Sequence, residues 1–407
     1  MKIIRLRFIQ EKLKSSLFYT PMVLTMVGLG LGLLFLWVDE QVTDIPTGLT
    51  ATVDSARAIL GVIAGATIAF AGVAFSVSLL LISLSSSQYS PRVVHGLFRD
   101  PFNKRVMGVV IGTFTYCLVV LRAVRSPFED GGTAVIPSLS IAVALLLGVT
   151  TLLANVGFIN HAAHLMDISK ILHGVTEAAI AEVSAQWGEG SDTDAAGEDT
   201  AGETAPDDAF VVAFERGGWV QQVDHNTLLK ALEPGATMWL DTVAGRYAIV
   251  ATPLCRIAPT PSDPELVERR VRDAIAVGQT RTAQDDVTYG VRQLADVALK
   301  ALSPGINDPT TAQDAMFHLG AVLRELLVRS VPTRRLSGED GRELLMPQVW
   351  THAEIVGLAF DEIRLASAGM PTVHIYLLEI LHLLTASIAS TANTDEATAA
   401  LRSQADL

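Results

Sequence analysis

No charged residue occurs between Arg57 and Arg92, and this one stretch constrains the chain more than any other feature. A helix crosses the hydrocarbon core of a bilayer in roughly 20 apolar residues, so a run of this length reads as a transmembrane span. Three further stretches qualify. Ser16 to Val38 contains no charge. Val106 to Leu121 is short, but Arg105 and Arg122 bracket it and can reach the two interfaces with their side chains. The fourth lies within the charge-free residues from Gly131 to Asn160. Composition agrees: 18% of residues are charged and the mean hydropathy is +0.38, where soluble domains carry about 25% charged residues. The first span is longer than the apolar core of a secretory signal, and no small-residue cleavage pattern follows it, so it reads as a retained anchor.

Loop charges give an orientation. Lys2, Arg5, Arg7, Lys12 and Lys14 precede the first span, and Asp39, Glu40, Asp44 and Asp54 follow it. Arg92, Arg99, Lys104 and Arg105 lie between the second and third spans. Basic flanks stay in the cytoplasm, which predicts both termini there and short outer loops.

The second span carries a stripe of small residues. Gly61, Gly65, Ala69, Gly72, Ser76, Ser83 and Ser87 recur at steps of three, four or seven and therefore share one helical face. Gly61 and Gly65 form a GxxxG pair, which lets helix backbones approach closely. The stripe reads either as a helix–helix contact or as a face lining a pore. No acidic or basic residue lies mid-membrane here, which disfavours coupled transport more than a passive pore.

The remaining residues are acidic enough to bring the whole chain to a net charge of −13 and a pI near 5.1. A protein that neutralises phosphates needs a basic face, so no nucleic-acid partner is expected. The two cysteines, Cys117 and Cys255, form neither a disulfide framework nor a metal motif. His161, His164 and Asp167 follow the fourth span at steps of three. Imidazoles and a carboxylate at that spacing suit a divalent metal, and equally suit the headgroup level of a membrane helix. Gly188 to Asp208 holds eight acidic residues and no basic one, and reads as a disordered linker. Residues 209–258 read as a small β-rich, barrel-like part. Its pattern Gly245-x-Tyr247-x-x-x-x-Thr252-Pro253-Leu254 resembles the close of lipoyl-type barrels. The lysine of that stretch, Lys230, sits in a helical piece rather than at a hairpin tip, so no cofactor is expected. Residues 263–392 read as helical, with segments at Asp263–Ala276, Asp285–Ala301, Thr310–Arg329, Arg342–Ala366 and Thr372–Ser390. The last of these is interrupted by His374, Glu379 and His382 and reads as a soluble helix rather than a fifth span.

Two polar phrases adjoin each other: RTAQDDVTYGVRQLADVALKA and LSPGINDPTTAQDA. Asp308 before Pro309 is a helix cap followed by a proline at the first helical position. A capped corner accounts for most of these residues, and the competing reading gathers Arg281, Asp285, Asn307 and Asp308 into a polar ligand site. No nucleophile with an adjacent base accompanies them, so the chain does not read as an enzyme. These phrases, with SSSQYSPRVV after the second span and GWVQQVD in the β stretch, resemble the bacterial predicted membrane proteins of domain-of-unknown-function family 2254. The resemblance implies a multi-span inner-membrane protein with a cytoplasmic C-terminal domain, and carries no catalytic residue with it.

The expected architecture is therefore a cytoplasmic N-terminus (1–15), an all-α membrane domain of four transmembrane helices (16–160) and a helical extension (161–187). The acidic linker (188–208), a cytoplasmic α+β domain with a small β-barrel-like part (209–258) and a helical part (263–392), and a flexible tail (393–407) follow. The expected partners are the lipid bilayer and further copies of the chain, as a homo-oligomer. A channel-like protein, a non-conducting scaffold or sensor, and a membrane-bound enzyme are the competing functions, in that order.

Overall fold

A computed structural model describes residues 19–42, 52–88, 101–126, 135–164, 167–188, 203–346, 350–389, 391 and 395–406. They form two compact units, the first ending at Asp167 and the second running from Ile168. Most of the expected acidic linker and all of residues 1–15 lie outside the described residues.

The first unit contains α1 (Tyr19–Gln41), α2 (Val53–Gln88), α3 (Pro101–Ala123) and α4 (Ser138–His164). Their side-chain pairs rise or fall together along the sequence, which fixes the direction of each helix. Gly28 lies against the Gly112 backbone and Gly32 against Val119, so α1 and α3 run parallel. Phe70 meets Phe158 edge-on at 6.0 Å and Ile63 packs over Gly148, so α2 and α4 are also parallel. The Tyr116 hydroxyl donates to the Ser140 carbonyl (3.0 Å) and Thr151 to Thr113 (3.0 Å), which makes α3 and α4 antiparallel. Direction thus alternates along the chain.

One end of this bundle is tied by polar contacts. Arg57 Nη2 donates to the Val124 carbonyl (3.1 Å). The Asp39 carboxylate accepts from the backbone N–H groups of Leu139 and Ser140, both at 2.9 Å, and from the Ser140 hydroxyl. A carboxylate at the first turn of a helix satisfies donors that have no partner within the helix, and complements its dipole. Below it, Leu60, Tyr116, Cys117, Val120 and Ile141 form the buried core between the helices.

The second unit is α+β. In order it contains α5 (Ile168–Gln186), β1 (Phe210–Ala213), β2 (Gly218–Val223), α6 (His225–Ala231), β3 (Thr237–Leu240), β4 (Tyr247–Ala248), β5 (Pro253–Ala258), α7 (Pro264–Asp273) and β6 (Ile275–Gly278). Then follow α8 (Val287–Ala301), α9 (Pro309–Leu327), β7 (Arg335–Ser337), β8 (Glu343–Leu345), α10 (His352–Ala366), α11 (Pro371–Ile388) and α12 (Asp395–Asp406). The strands pair as a five-stranded sheet in the order β1-β5-β3-β8-β7 and a three-stranded sheet in the order β4-β2-β6. The expected small barrel thus takes the form of two sheets, and it is not complete within 209–258: β6, β7 and β8 come from the stretch read as wholly helical. Glu343–Leu345, in the stretch expected to be helical from Arg342, pairs instead with β3 and β7. Met238, Cys255, Ile257 and Leu344 form the core under the sheets, together with Leu228 of α6.

Helix starts follow from local chemistry. Asp224, Asp263, Asp286 and Asp308 each accept a backbone N–H at the start of α6, α7, α8 and α9, and Pro264 and Pro309 occupy the first helical turn. Thr351 and Glu354 form a reciprocal capping box for α10.

Among the described residues five helices are long and apolar enough to cross a membrane: α1 to α4, and α11. The last belongs to the second unit, where Val373, Leu377, Ile380, Leu384 and Ile388 are buried in helix packing and Ile380 sits against Gly320 of α9. Residues 395–406, expected as flexible tail, form α12, whose Gln404 donates to Asp361 of α10.

Candidate functional site

Among the described residues the small-residue stripe of α2 is exposed. At 100° per residue, Gly61, Gly65, Ala69, Gly72, Ser76 and Ser83 fall within about 80° of one another. The buried residues of the same helix, Ala56, Leu60, Ala64, Thr67 and Ala74, lie on the opposite side. All six stripe residues are exposed, and a Cβ added at Gly61, Gly65 or Gly72 would meet nothing within 4 Å. The side chain of Ser87 lies outside the described residues. Ser76 and Ser78 donate their hydroxyls to the Gly72 and Ala74 carbonyls of their own helix, at 2.9 and 2.8 Å.

Within the chain, close helix approach through GxxxG pairs is made by other glycines than Gly61 and Gly65. Gly28 and Gly32 of α1 pack against Gly112 and Val119 of α3, and Gly108 and Gly112 of α3 pack against Leu24 of α1; each helix thus uses a GxxxG pair. A Cβ at Gly28 would collide with the Gly112 carbonyl, and one at Gly112 would lie 2.8 Å from the Leu24 oxygen. Glycine is required there because backbone meets backbone. Both pairs are visible in the sequence as Gly-x-x-x-Gly, and only their mutual contact was not.

In the second unit the candidates Arg281, Asp285, Asn307 and Asp308 do not form one cluster. The first two precede α8 and the last two follow it, and 15 residues of helix span about 22 Å. Arg281 is held at its own end by Asp286, a residue not singled out in the sequence. Its Nε donates to Asp286 Oδ2 (2.6 Å), and its Nη2 to Asp286 Oδ1 (3.0 Å) and Thr288 Oγ1 (2.6 Å). The guanidinium lies between the rings of Trp219 (5.8 Å) and Tyr289 (5.3 Å). Gly245, at φ +83°, leaves the space that the Asp286 carboxylate occupies. Asp286 also accepts from the Thr288 N–H and hydroxyl, and so caps α8 while joining it to the β part. The signal was present: Asp-x-Thr before an apolar-periodic run marks Asp286, not Asp285, as the cap.

Asp285 has a positive φ of 57°, and its N–H donates to Glu182 Oε1 of α5 (2.9 Å). Burial, then the nearby Glu182 and Asp224 carboxylates, raise its pKa, against a hydrogen bond from the Val223 backbone. At the other end of α8, Asn307 adopts φ +51° in the tight corner and Asp308 accepts from the Thr311 N–H (3.1 Å) and hydroxyl (2.7 Å). Those hydrogen bonds hold the Asp308 carboxyl below its ordinary range. Asparagine tolerates the left-handed region, which explains Asn307 at this position.

Of the possible metal ligands, His164 Nδ1 contacts the Asn160 carbonyl (2.7 Å) and His161 stacks on Phe102 at 4.6 Å. Asp167 N–H donates to the His164 carbonyl. Among the described residues no three His, Cys, Asp or Glu side chains stand close enough to share a metal ion.

Several helices long and apolar enough to cross a membrane, four of them in one unit of alternating direction, joined to an α+β unit, are the architecture of a membrane protein. The chain belongs to the family described as "Predicted membrane protein (DUF2254)", whose model matches residues 14–382. It is similar to the uncharacterized proteins Rv1290c of Mycobacterium tuberculosis and Mb1321c of Mycobacterium bovis. Each is 28% identical over 385 residues, covering 93% of this chain and 73% of the relative. No solved structure matches the chain.

Proposed function

We propose that this chain is a four-span inner-membrane protein, with both termini in the cytoplasm, that assembles as a homo-oligomer through the outward face of α2. Small solutes or ions pass beside that face, and the cytoplasmic α+β unit acts as vestibule or regulator. The observation that carries this reading is the exposed stripe. Gly28 and Gly32 of α1 and Gly108 and Gly112 of α3 are consumed in contact, whereas Gly61, Gly65 and Gly72 lie against open space on the side of α2 turned away from its own bundle. A second copy can approach there as closely as α1 approaches α3. The charge-free span favours passive passage over coupled transport. Alternating helix direction and the basic inner loops support the topology, and the burial of one face of α11 among α9 and α12 supports four spans rather than five.

A non-conducting scaffold is the second reading. It is favoured by Ser76 and Ser78, whose hydroxyls are satisfied within the helix and require no water. Reconstituting the full chain in liposomes separates the two. Solute flux that Ser83→Trp reduces while the oligomer persists supports the channel. An oligomer without flux supports the scaffold, and a monomer without flux removes both.

A further inference from the structure

The second unit carries an apolar tip that is exposed among the described residues. The β4–β5 turn exposes Tyr247 (59%), Ile249 (62%) and Val250 (55%) as neighbours in sequence. The tip is built rather than loose. Ala251 N–H donates to the Phe214 carbonyl (2.9 Å) and Phe214 N–H to the Thr252 carbonyl (3.0 Å), which clamps this turn to the 214–218 turn. The Thr252 hydroxyl closes the turn on the Ile249 carbonyl at 2.7 Å. Tyr247 is braced edge-on by Trp219 at 5.4 Å. Side chains held outward in this way are not exposed through local unfolding.

Arginines flank the tip. Arg216, on the clamped turn, and Arg246, next to Tyr247, are both exposed in a chain whose net charge is −13. The nearby acid, Glu215, is already paired with Arg272 at 2.6 Å. A tyrosine with two aliphatic side chains, flanked by arginines, matches a bilayer interface: aromatic rings favour the headgroup level, aliphatic groups the acyl boundary, and arginines anionic lipid. The first unit supplies the bilayer, and its last helix is separated from α5 by only residues 165–167. We infer that the 246–251 tip is a membrane-surface contact that docks the second unit on anionic lipid by inserting Ile249 and Val250.

The test places a fluorophore on Ile249→Cys in the full chain, in nanodiscs whose lipids carry a quencher at the acyl boundary. The native thiols are both buried. A label on Arg269→Cys, exposed on α7, is the control. In discs containing anionic lipid, quenching at 249 should exceed that at 269. Arg216→Gln and Arg246→Gln should each weaken docking about five-fold, and raised salt should do the same. Val250→Ser should reduce quenching with both charges intact. Equal quenching at the two positions, indifference to both arginines, or disulfide pairing of Ile249→Cys between copies in place of quenching would each overturn the inference.

Discussion

Replacing Asp286 by alanine removes the carboxylate on which the junction between α8 and the β part depends. The side chain of Asp286 is 2% exposed and that of Arg281 21%, so water screens their interaction little. Alanine strands the Arg281 guanidinium between Trp219 and Tyr289 with only Thr288 as a described hydrogen-bond partner. Breaking a buried ion pair from one side costs about 3–5 kcal/mol. Loss of the α8 cap belongs to the same carboxylate, so its usual cost of about 0.5–2 kcal/mol overlaps with that figure rather than adding to it. For a folding unit of this size each kcal/mol moves the midpoint by about 2–4 °C. Asp286→Ala should therefore lower the melting temperature of the full chain in nanodiscs by roughly 6–20 °C, read by tryptophan fluorescence. Asp285→Gly is the contrast: it relieves the positive φ and removes a carboxylate that burial disfavours, so it should be neutral or stabilising. A fall of less than about 2 °C for Asp286→Ala, or a larger loss for Asp285→Gly, would refute the assignment of the junction to Asp286.

Gly112→Leu should collapse the first unit, because its side chain must displace the Leu24 backbone of α1; trypsin sensitivity of the membrane-embedded fragment reports this. Acidification should destabilise the second unit through His225, His318 and His352, whose pKa values burial lowers. The unfolded chain takes up these protons first, so the contribution is intact above about pH 6.5 and is lost as pH falls through the lowered folded values. His352→Gln should flatten that slope in a melting series. Reporter fusions after Asp44 and after Glu129 should both read as outside, and cytoplasmic signals from both would rule out the four-span topology.

What the sequence disclosed and what it hid divide along the range of the interactions. The apolar spans and the Asp-Pro helix starts are local and lie where periodicity and capping put them, whereas α12 and the late start of α10 do not. The small strands β7 and β8 are three residues each, too short for a period-two pattern, and exist because β3 offers an edge with which β8 pairs in parallel. Asp286 is legible as a cap, but the space that Gly245 leaves for its carboxylate and the Trp219 ring beside its partner Arg281 are distant in sequence. The α2 stripe was legible as a face, but only the packing of α1 against α3 reveals which glycines are already used.

Disulfide crosslinking from single cysteines on α2 tests the central claim most directly. Ala69→Cys and Ser76→Cys lie on the outward face, and Ala74→Cys on the buried one. Cys117 and Cys255 are buried, and burial pushes the Cys255 thiol up to about 12, so the native background is low. The account predicts dimer-sized products in native membranes from positions 69 and 76 and none from 74. Monomer at 69 and 76 under full oxidation, or crosslinking from 74 alone, would contradict it.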